Sequence, residues 1–315
     1  MKLFCYFVEP ASYTIDLAKN IYDKNKIDYC FINSYSLAKS DIRSHKTYLD
    51  KLPLVAKLKF IISVYKENDL IIINGYNNYA FIMTFILNIL SFNKKYIAIE
   101  SDSQLLLPKN LLKRLVKWIY LSIIFNNKSV LGFAGGSIRH KDLFRNYGMQ
   151  EKRIFLMPML VDNSKFFQDK KKFPDLFTFL YVGRIVEHKN VEALIQQFNK
   201  NFNNKTAVLK IVGSGEQESY LRDRYASGKV MFLGSLFSDD LIFEFHNASC
   251  FVLPSTFEPW GLVVNEALSS ALPVISLEGV GANCDLIKGK DTGMVAVDML
   301  DFSEKMLQLY NDFDL

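Results

Sequence analysis

Glu258 and Glu266 are the residues with the most chemistry in their surroundings. They stand in Ser255-Thr256-Phe257-Glu258-Pro259-Trp260-Gly261-Leu262-Val263-Val264-Asn265-Glu266, after the apolar run Cys250-Phe251-Val252-Leu253-Pro254. That run reads as a buried strand, and Leu262 to Leu268 reads as a helix that starts near Gly261. Glu258 then falls in the loop, and Glu266 falls roughly a turn and a half into the helix. Between them lie the free N–H groups of the helix N-terminus, which together with the helix dipole attract phosphate. Two carboxylates flanking an anion cradle suit a molecule with a diphosphate at its centre and hydroxyl-rich sugars at both ends. A nucleotide sugar has that shape. Two arbitrary glutamates usually mark a solvated surface. Here Pro259 and Gly261 shape the helix entry, Trp260 is one of two tryptophans, and apolar flanks place both carboxylates near buried surface.

Further groups fall at strand ends in the same half. Thr178–Val182 reads as a strand closed by Gly183-Arg184, followed by Glu187-His188-Lys189 and a helix that Asn190 is expected to cap. Val208–Val212 ends at Gly213-Ser214-Gly215, Val230–Leu233 ends at Gly234, and Pro273–Ser276 ends at the Gly279–Ala282 loop. In open parallel sheets ligands bind outside the carboxyl ends of the strands. Arg184 and Lys189 supply cations there, Arg as a fork onto two oxygens and Lys as a point charge. Gly213-Ser214-Gly215 alone is weak evidence, since such glycines usually just turn the chain.

The elements that must position these groups alternate along the whole chain. Lys2–Val8, Asp28–Asn33, Asp69–Asn74, Tyr96–Ile99, Val130–Phe133 and Arg153–Met157 read as strands, with helices between them. Residues 34–52 are polar and irregular. The alternation argues for parallel, doubly wound α/β sheets. Asp162–Asp175, with Lys170-Lys171-Lys172 and Pro174, reads as an inter-domain linker. The expected domains are 1–165 and 166–315.

Charge separates the two halves. Residues 1–165 hold 24 Lys and Arg against 13 Asp and Glu; residues 166–315 hold 14 against 20, so that +11 and −6 underlie the overall +5. A basic half favours an anionic membrane face or nucleic acid, and no nucleic-acid-reading motif accompanies it. Within that half, Leu111 to Leu121 carries Lys113, Arg114 and Lys117 among Leu and Trp residues. It reads as a packed helix with a basic solvated edge or as a basic amphipathic element on a membrane surface. No apolar run reaches the ~20 residues of a spanning helix. The apolar N-terminus stops at Glu9-Pro10, too short for a signal peptide, and reads as a first strand. Cys5, Cys30, Cys250 and Cys284 show no metal or redox spacing, which fits a reduced cytosol. No metal site is expected; Asp312-Phe313-Asp314 lies in the terminal tail.

Tyr181-Val182-Gly183-Arg184-Ile185-Val186-Glu187-His188-Lys189-Asn190, Ile211–Gly215, Phe257–Glu266 and Ala271–Ile275 resemble the C-terminal domain of retaining glycosyltransferases of family four. Gly148–Pro158 and Val161-Asp162 resemble the strand that enters that family's linker. The resemblance is strong over about residues 130–297 and is one of layout alone before that. It implies the GT-B architecture: two Rossmann-like doubly wound domains facing a cleft, the first for the acceptor, the second for a nucleotide-sugar donor. It implies that Gly183, Arg184, Lys189 and Gly213 lie around the donor diphosphate, with backbone groups of Gly261, Leu262 and Val263 on the phosphate. Glu258 is then expected on the donor sugar, Glu266 on the ribose, and the Phe232 region at the base. Glu258, Arg184 and Lys189 are the catalytic candidates, with Asp102 added from the first half.

The chain departs from the family in places. The loop after the first strand, Glu9-Pro10-Ala11-Ser12-Tyr13, lacks the usual glycines. None of His45, His140, His188 or His246 fits beside the sugar; Glu100 and Asp102 read either as that group or as surface carboxylates. The usual closing helix is expected to be short or missing. The resulting expectation is a metal-independent retaining transferase without a cofactor, using a UDP- or GDP-linked sugar. Its acceptor is a glycan, lipid-linked by expectation, in capsule, O-antigen or similar polysaccharide synthesis at the cytoplasmic membrane face. The alternatives are a transferase making a small soluble glycoside or disaccharide phosphate, which a basic pocket would favour, and a nucleotide-sugar-binding subunit without turnover.

Overall fold

The computed structural model describes residues 1–35, 48–157, 162–168 and 174–313. Pro158, Val161, the Lys170–Lys172 triplet, Asp314 and most of the irregular stretch after Asn33 lie outside the described residues. The chain divides into two compact units, Met1–Val161 and Asp162–Leu315.

In the first unit the order is β1 (Leu3–Phe7), α1 (Ser12–Leu17), β2 (Asp28–Phe31), α2 (Leu54–Glu67), β3 (Leu70–Asn74) and α3 (Tyr79–Leu90). Then come β4 (Tyr96–Ser101), α4 (Leu111–Asn126), β5 (Val130–Ala134), α5 (Lys141–Asn146) and β6 (Ile154–Leu156). All six strands pair in parallel, in the order β2-β1-β3-β4-β5-β6. The Leu-Ile-Ile-Ile run of β3 does not alternate because helices cover both faces of the sheet. One face carries Phe81, Phe85, Leu121 and Phe125; the other carries Phe7, Ile15, Tyr22 and Phe31. Arg153, 9% exposed, donates to the carbonyls of Phe125, Asn127 and Val130. Its cation thereby satisfies carbonyls at the α4 C-terminus, where positive charge is favourable.

The second unit runs α6 (Asn163–Phe166), β7 (Phe177–Val182), α7 (Val191–Phe202), β8 (Ala207–Val212), α8 (Glu218–Tyr225) and β9 (Val230–Gly234). It continues with α9 (Ser238–His246), β10 (Cys250–Leu253), α10 (Leu262–Ser269), β11 (Val274–Leu277), α11 (Asn283–Leu286), β12 (Gly293–Ala296) and α12 (Met299–Phe313). The sheet is again six-stranded and parallel, in the order β12-β11-β10-β7-β8-β9. Phe177, Phe179, Phe198, Phe202 and Tyr310 form one aromatic cluster that holds α7 and α12 on the sheet.

One stretch departs from the sequence reading. Asp162–Asp175 was expected as linker, yet its first residues form α6, which packs against α9 and α10. Asp162 caps that helix through Ser164 N–H, and Phe166 is buried edge-on against Phe245. The main-chain carbonyl of Phe166 accepts from Ser270 Oγ and meets His246 Nε2 at 3.0 Å. One buried phenylalanine and a cap are enough to dock a short helix whose composition otherwise reads as linker.

Of the four free cysteines, Cys5, Cys30 and Cys250 are buried and Cys284 is half-buried in α11. No helix among the described residues is long and apolar enough to cross a membrane.

Candidate functional site

Doubly wound sheets have a point where successive connections leave in opposite directions, and the crevice outside it binds ligands. In the second unit, β7-β8-β9 runs one way and β10-β11-β12 the other, so the switch lies between β7 and β10. The loop after β7 carries Gly183, Arg184 and Lys189, and the loop after β10 carries Glu258 and Gly261. The topology alone therefore brings the two groups of expected site residues to one crevice.

Hydrogen bonds fix those loops. Thr256 donates its N–H and its hydroxyl to the carbonyl of His188, at 3.0 and 3.1 Å. On the other side, Glu258 N–H donates to Gly279 O, and Gly281 N–H donates to Glu258 O, both at 3.0 Å. Ala282 N–H reaches Trp260 O at 2.9 Å, while the buried Trp260 indole donates to Asn265. A Cβ on Gly279 would stand 2.0 Å from Thr256 O, so glycine is needed where these loops cross. Gly213 is the second such point. Its φ is +134°, and a Cβ there would lie 1.9 Å from Gly183 O. Gly213 belongs to the site as the residue that lets the ends of β7 and β8 close up.

Across the crevice Lys189 and Glu258 form an ion pair, with side chains 10% and 16% exposed. Burial, then the charge of Arg184, pushes the Lys189 ammonium down to about 8. Arg184 is exposed, and its backbone carbonyl, fixed by the Tyr181 hydroxyl at 2.8 Å, sets where the guanidinium starts. That guanidinium has no hydrogen-bond partner among the described residues. Gly261, with φ +95°, turns the chain into α10, so Leu262 and Val263 N–H lie in the first turn, where no intrahelical acceptor reaches them. Glu266 stands one turn into α10, slightly nearer its start than expected. Burial raises its carboxyl to about 7, against the opposing pull of Lys165. Cations, free N–H groups and two carboxylates in one crevice can hold a dianion and two sets of hydroxyls.

Two expectations need correction. Asn190 does not cap α7 through its side chain; it turns into the helix in the left-handed conformation, φ +59°, which asparagine tolerates better than most residues. Phe232 sits within β9 with its ring buried under the Arg222 guanidinium, and the strand ends, as expected, at Gly234, beside Ser235 and its partner Ser214. The groups exposed at the β9 end are therefore backbone and serine rather than the Phe232 ring. Asp102 belongs to the first unit, where it lines a separate pocket with Glu100. His140 is fully buried; burial raises the Asp102 carboxyl above the usual carboxylate range, and His140 is among the groups that oppose that rise. No sequence signal marks it, because His140 and Asp102 are 38 residues apart in the chain and interact only in the fold.

Residues 162–314 match the family described as glycosyl transferases group 1. The match takes in the second unit and just under half of the chain. A capsular polysaccharide biosynthesis glycosyltransferase, CapM, of Staphylococcus aureus is 30% identical over 201 residues, 57% of this chain and 51% of CapM. A glycosyltransferase of Methanocaldococcus jannaschii is 37% identical over 119 residues, 36% of this chain and 30% of that protein. The matched stretches thus span about a third to a half of the length of these relatives. Among solved structures, Anabaena HepE in complex with UDP superposes with a TM-score of 0.73 at 16% identity, over 99% of this chain and 91% of HepE. The outer core galactosyltransferase WaaB gives 0.72 at 16%, over 99% and 91%. At such identity the likeness fixes the fold, which is GT-B.

Proposed function

We propose that this protein is a retaining glycosyltransferase that moves a sugar from a UDP- or GDP-linked donor to a glycan acceptor. The observation that carries the reading is the convergence of Arg184, Lys189, the α10 N-terminus, Glu258 and Glu266 on one switch-point crevice. As the bond between sugar and diphosphate breaks, charge grows on the leaving phosphate. Preorganised donors that meet growing charge contribute most to rate, and here they are Lys189, Arg184 and the N–H groups of Leu262 and Val263. Glu258, held by Lys189 and by its own backbone bonds, accepts from donor-sugar hydroxyls, and Glu266 from the ribose. These groups do the work without a bound metal or cofactor. A screen of purified protein against nucleotide sugars tests the reading: one donor binds and is slowly hydrolysed, and Glu258→Ala and Arg184→Ala lose both. Binding without transfer or hydrolysis, even with membrane lipid extract present, would make it a nucleotide-sugar-binding subunit.

The proposal extends to a lipid-linked acceptor at the anionic cytoplasmic membrane face, in cell-surface polysaccharide synthesis. CapM, named for capsular polysaccharide, supports the last clause by likeness. The membrane clause rests on α4. Only Leu121, Ile124 and Phe125 of this helix are buried, while Leu111, Leu112, Leu115, Val116, Trp118 and Ile123 are each more than half exposed. Residues 103–141 hold no Asp or Glu and seven Lys or Arg. An apolar face rimmed only by cations fits an anionic lipid surface better than a merely solvated edge. Co-sedimentation with phosphatidylglycerol vesicles at low salt is the check, and Leu112→Glu with Leu115→Glu abolishes it. No sedimentation of the unaltered protein would remove the clause.

A further inference from the structure

The first unit has a switch point of its own. Its connections reverse between β1 and β3, and a pocket of about 270 Å³ opens at the carboxyl ends of β1, β3 and β4. Glu9, Tyr13, Asn74, Tyr76, Glu100 and Asp102 line it, and no lysine or arginine does so among the described residues. The volume equals roughly nine waters, the scale of one sugar ring. Three carboxylates come together here from separate strand ends. After burial, the charges of Asp102, Glu100 and Glu9 are what push the Tyr13 phenol up to about 12. Asn74 Nδ2 holds Glu100 at 2.6 Å, and Asn74 Oδ1 is buried without a hydrogen-bond partner among the described residues. His140 and Ser137 brace the loop beyond β5, with Ser137 N–H donating to His140 Nδ1 at 2.9 Å.

Carboxylates accept from hydroxyls, while amides and phenols both donate and accept. A ring carrying only hydroxyls satisfies all of them. A phosphate or carboxylate in the same place would bring its own charge and acceptor oxygens against the oxygens of Glu9, Asp102 and Glu100, the last raised to about 7 by burial and so only partly charged at neutral pH. None of the described cations that make this half basic lines the pocket, and Lys113, Arg114 and Lys117 stand on α4. We propose that this pocket seats a neutral, polyhydroxylated sugar ring and rejects rings that bear phosphate or carboxylate. The inference rests on the transferase reading and narrows it: it disfavours a sugar phosphate as the acceptor, which a basic pocket would have suited. A ring of this chemistry comes from the acceptor or from the donor.

Saturation-transfer NMR on the whole protein tests it, with methyl glucoside, galactoside and mannoside, N-acetylglucosamine, and their 6-phosphates or uronates. At least one neutral ring is expected to bind, with its charged counterpart at least tenfold weaker. Asp102→Asn weakens the neutral ring about tenfold, in line with loss of a hydrogen bond to a charged group, and Glu9→Lys admits the phosphorylated ring. UDP and GDP titrations on the same samples separate the two claims. If neither nucleotide binds, the transferase reading fails. If one binds but the charged ring equals or exceeds the neutral one, or no ring binds, the pocket proposal alone is overturned. Displacement of the ring by a nucleotide sugar, and not by its nucleotide, assigns the seat to the donor's sugar; persistence with both assigns it to the acceptor.

Discussion

Lys189 and Glu266 are titrating groups placed where ordinary side chains of their kind would not titrate. The Lys189 ammonium, pushed to about 8 by burial and by Arg184, is charged at neutral pH and loses its proton as pH rises through that value. Nucleotide diphosphate affinity is therefore expected to fall above pH 8, and Lys189→Arg, which stays charged, flattens the profile in titration calorimetry. Stability runs the other way. Between about 8 and the ordinary lysine value the unfolded chain binds more protons, so this group's contribution to stability rises with pH. Glu266 has the opposite sign. Its folded carboxyl, raised to about 7, binds more protons than the unfolded one between the ordinary glutamate value and 7, so stability is lost as pH rises through that window. Glu266→Gln is thus expected to gain about 1 kcal/mol at pH 8, a rise of roughly 2–4 °C in Tm, and nothing at pH 4. Its nucleoside affinity falls at both values, which calorimetry reads separately from the melting curve.

The elements that hold the site are short loops crossing at glycines. Gly213→Ala would drive a methyl into the Gly183 carbonyl at a positive φ. We expect it to cost about 2 kcal/mol or more, seen as a lower urea midpoint, together with loss of nucleotide binding, because Arg184 and Lys189 hang from the displaced loop. Gly234→Ala, with open space around its Cβ, removes only the conformational freedom of a positive φ and is the milder control. This level of the structure was partly legible in the sequence. The glycines after β7, β8 and β9 announced strand ends, and the unbroken apolar run of β10 announced a strand covered on both faces. What stayed hidden depends on partners distant in sequence. Asn190 looks like a cap until its φ is seen, α6 looks like linker until Phe166 finds Phe245, and His140 gains meaning only beside Asp102. Composition also undersold α4: its cations were evident, but that its leucines and Trp118 face outward depends on how little of the helix the sheet covers.

At the scale of the molecule, each unit carries its own sheet and its own core. Thermal unfolding is therefore expected in two steps, and a nucleotide that binds only the second unit should raise one of them. At a hundredfold excess over Kd the gain is about 2.7 kcal/mol. Calorimetry with and without UDP or GDP checks this, and an equal shift of both transitions would place nucleotide contacts in the first unit as well. The charge division noted in the sequence is not uniform within the first half, whose acid-lined pocket has no lysine or arginine in its lining among the described residues. The thiols add a practical consequence. Burial pushes Cys5, Cys30 and Cys250 well up from the usual thiol range, leaving Cys284 as the accessible one. It sits in α11, two residues beyond the Gly279–Ala282 loop whose backbone grips Glu258. The wild-type chain thus has a ready attachment point for a maleimide dye close to the crevice, and fluorescence from that single label would follow ligand arrival without any engineered cysteine.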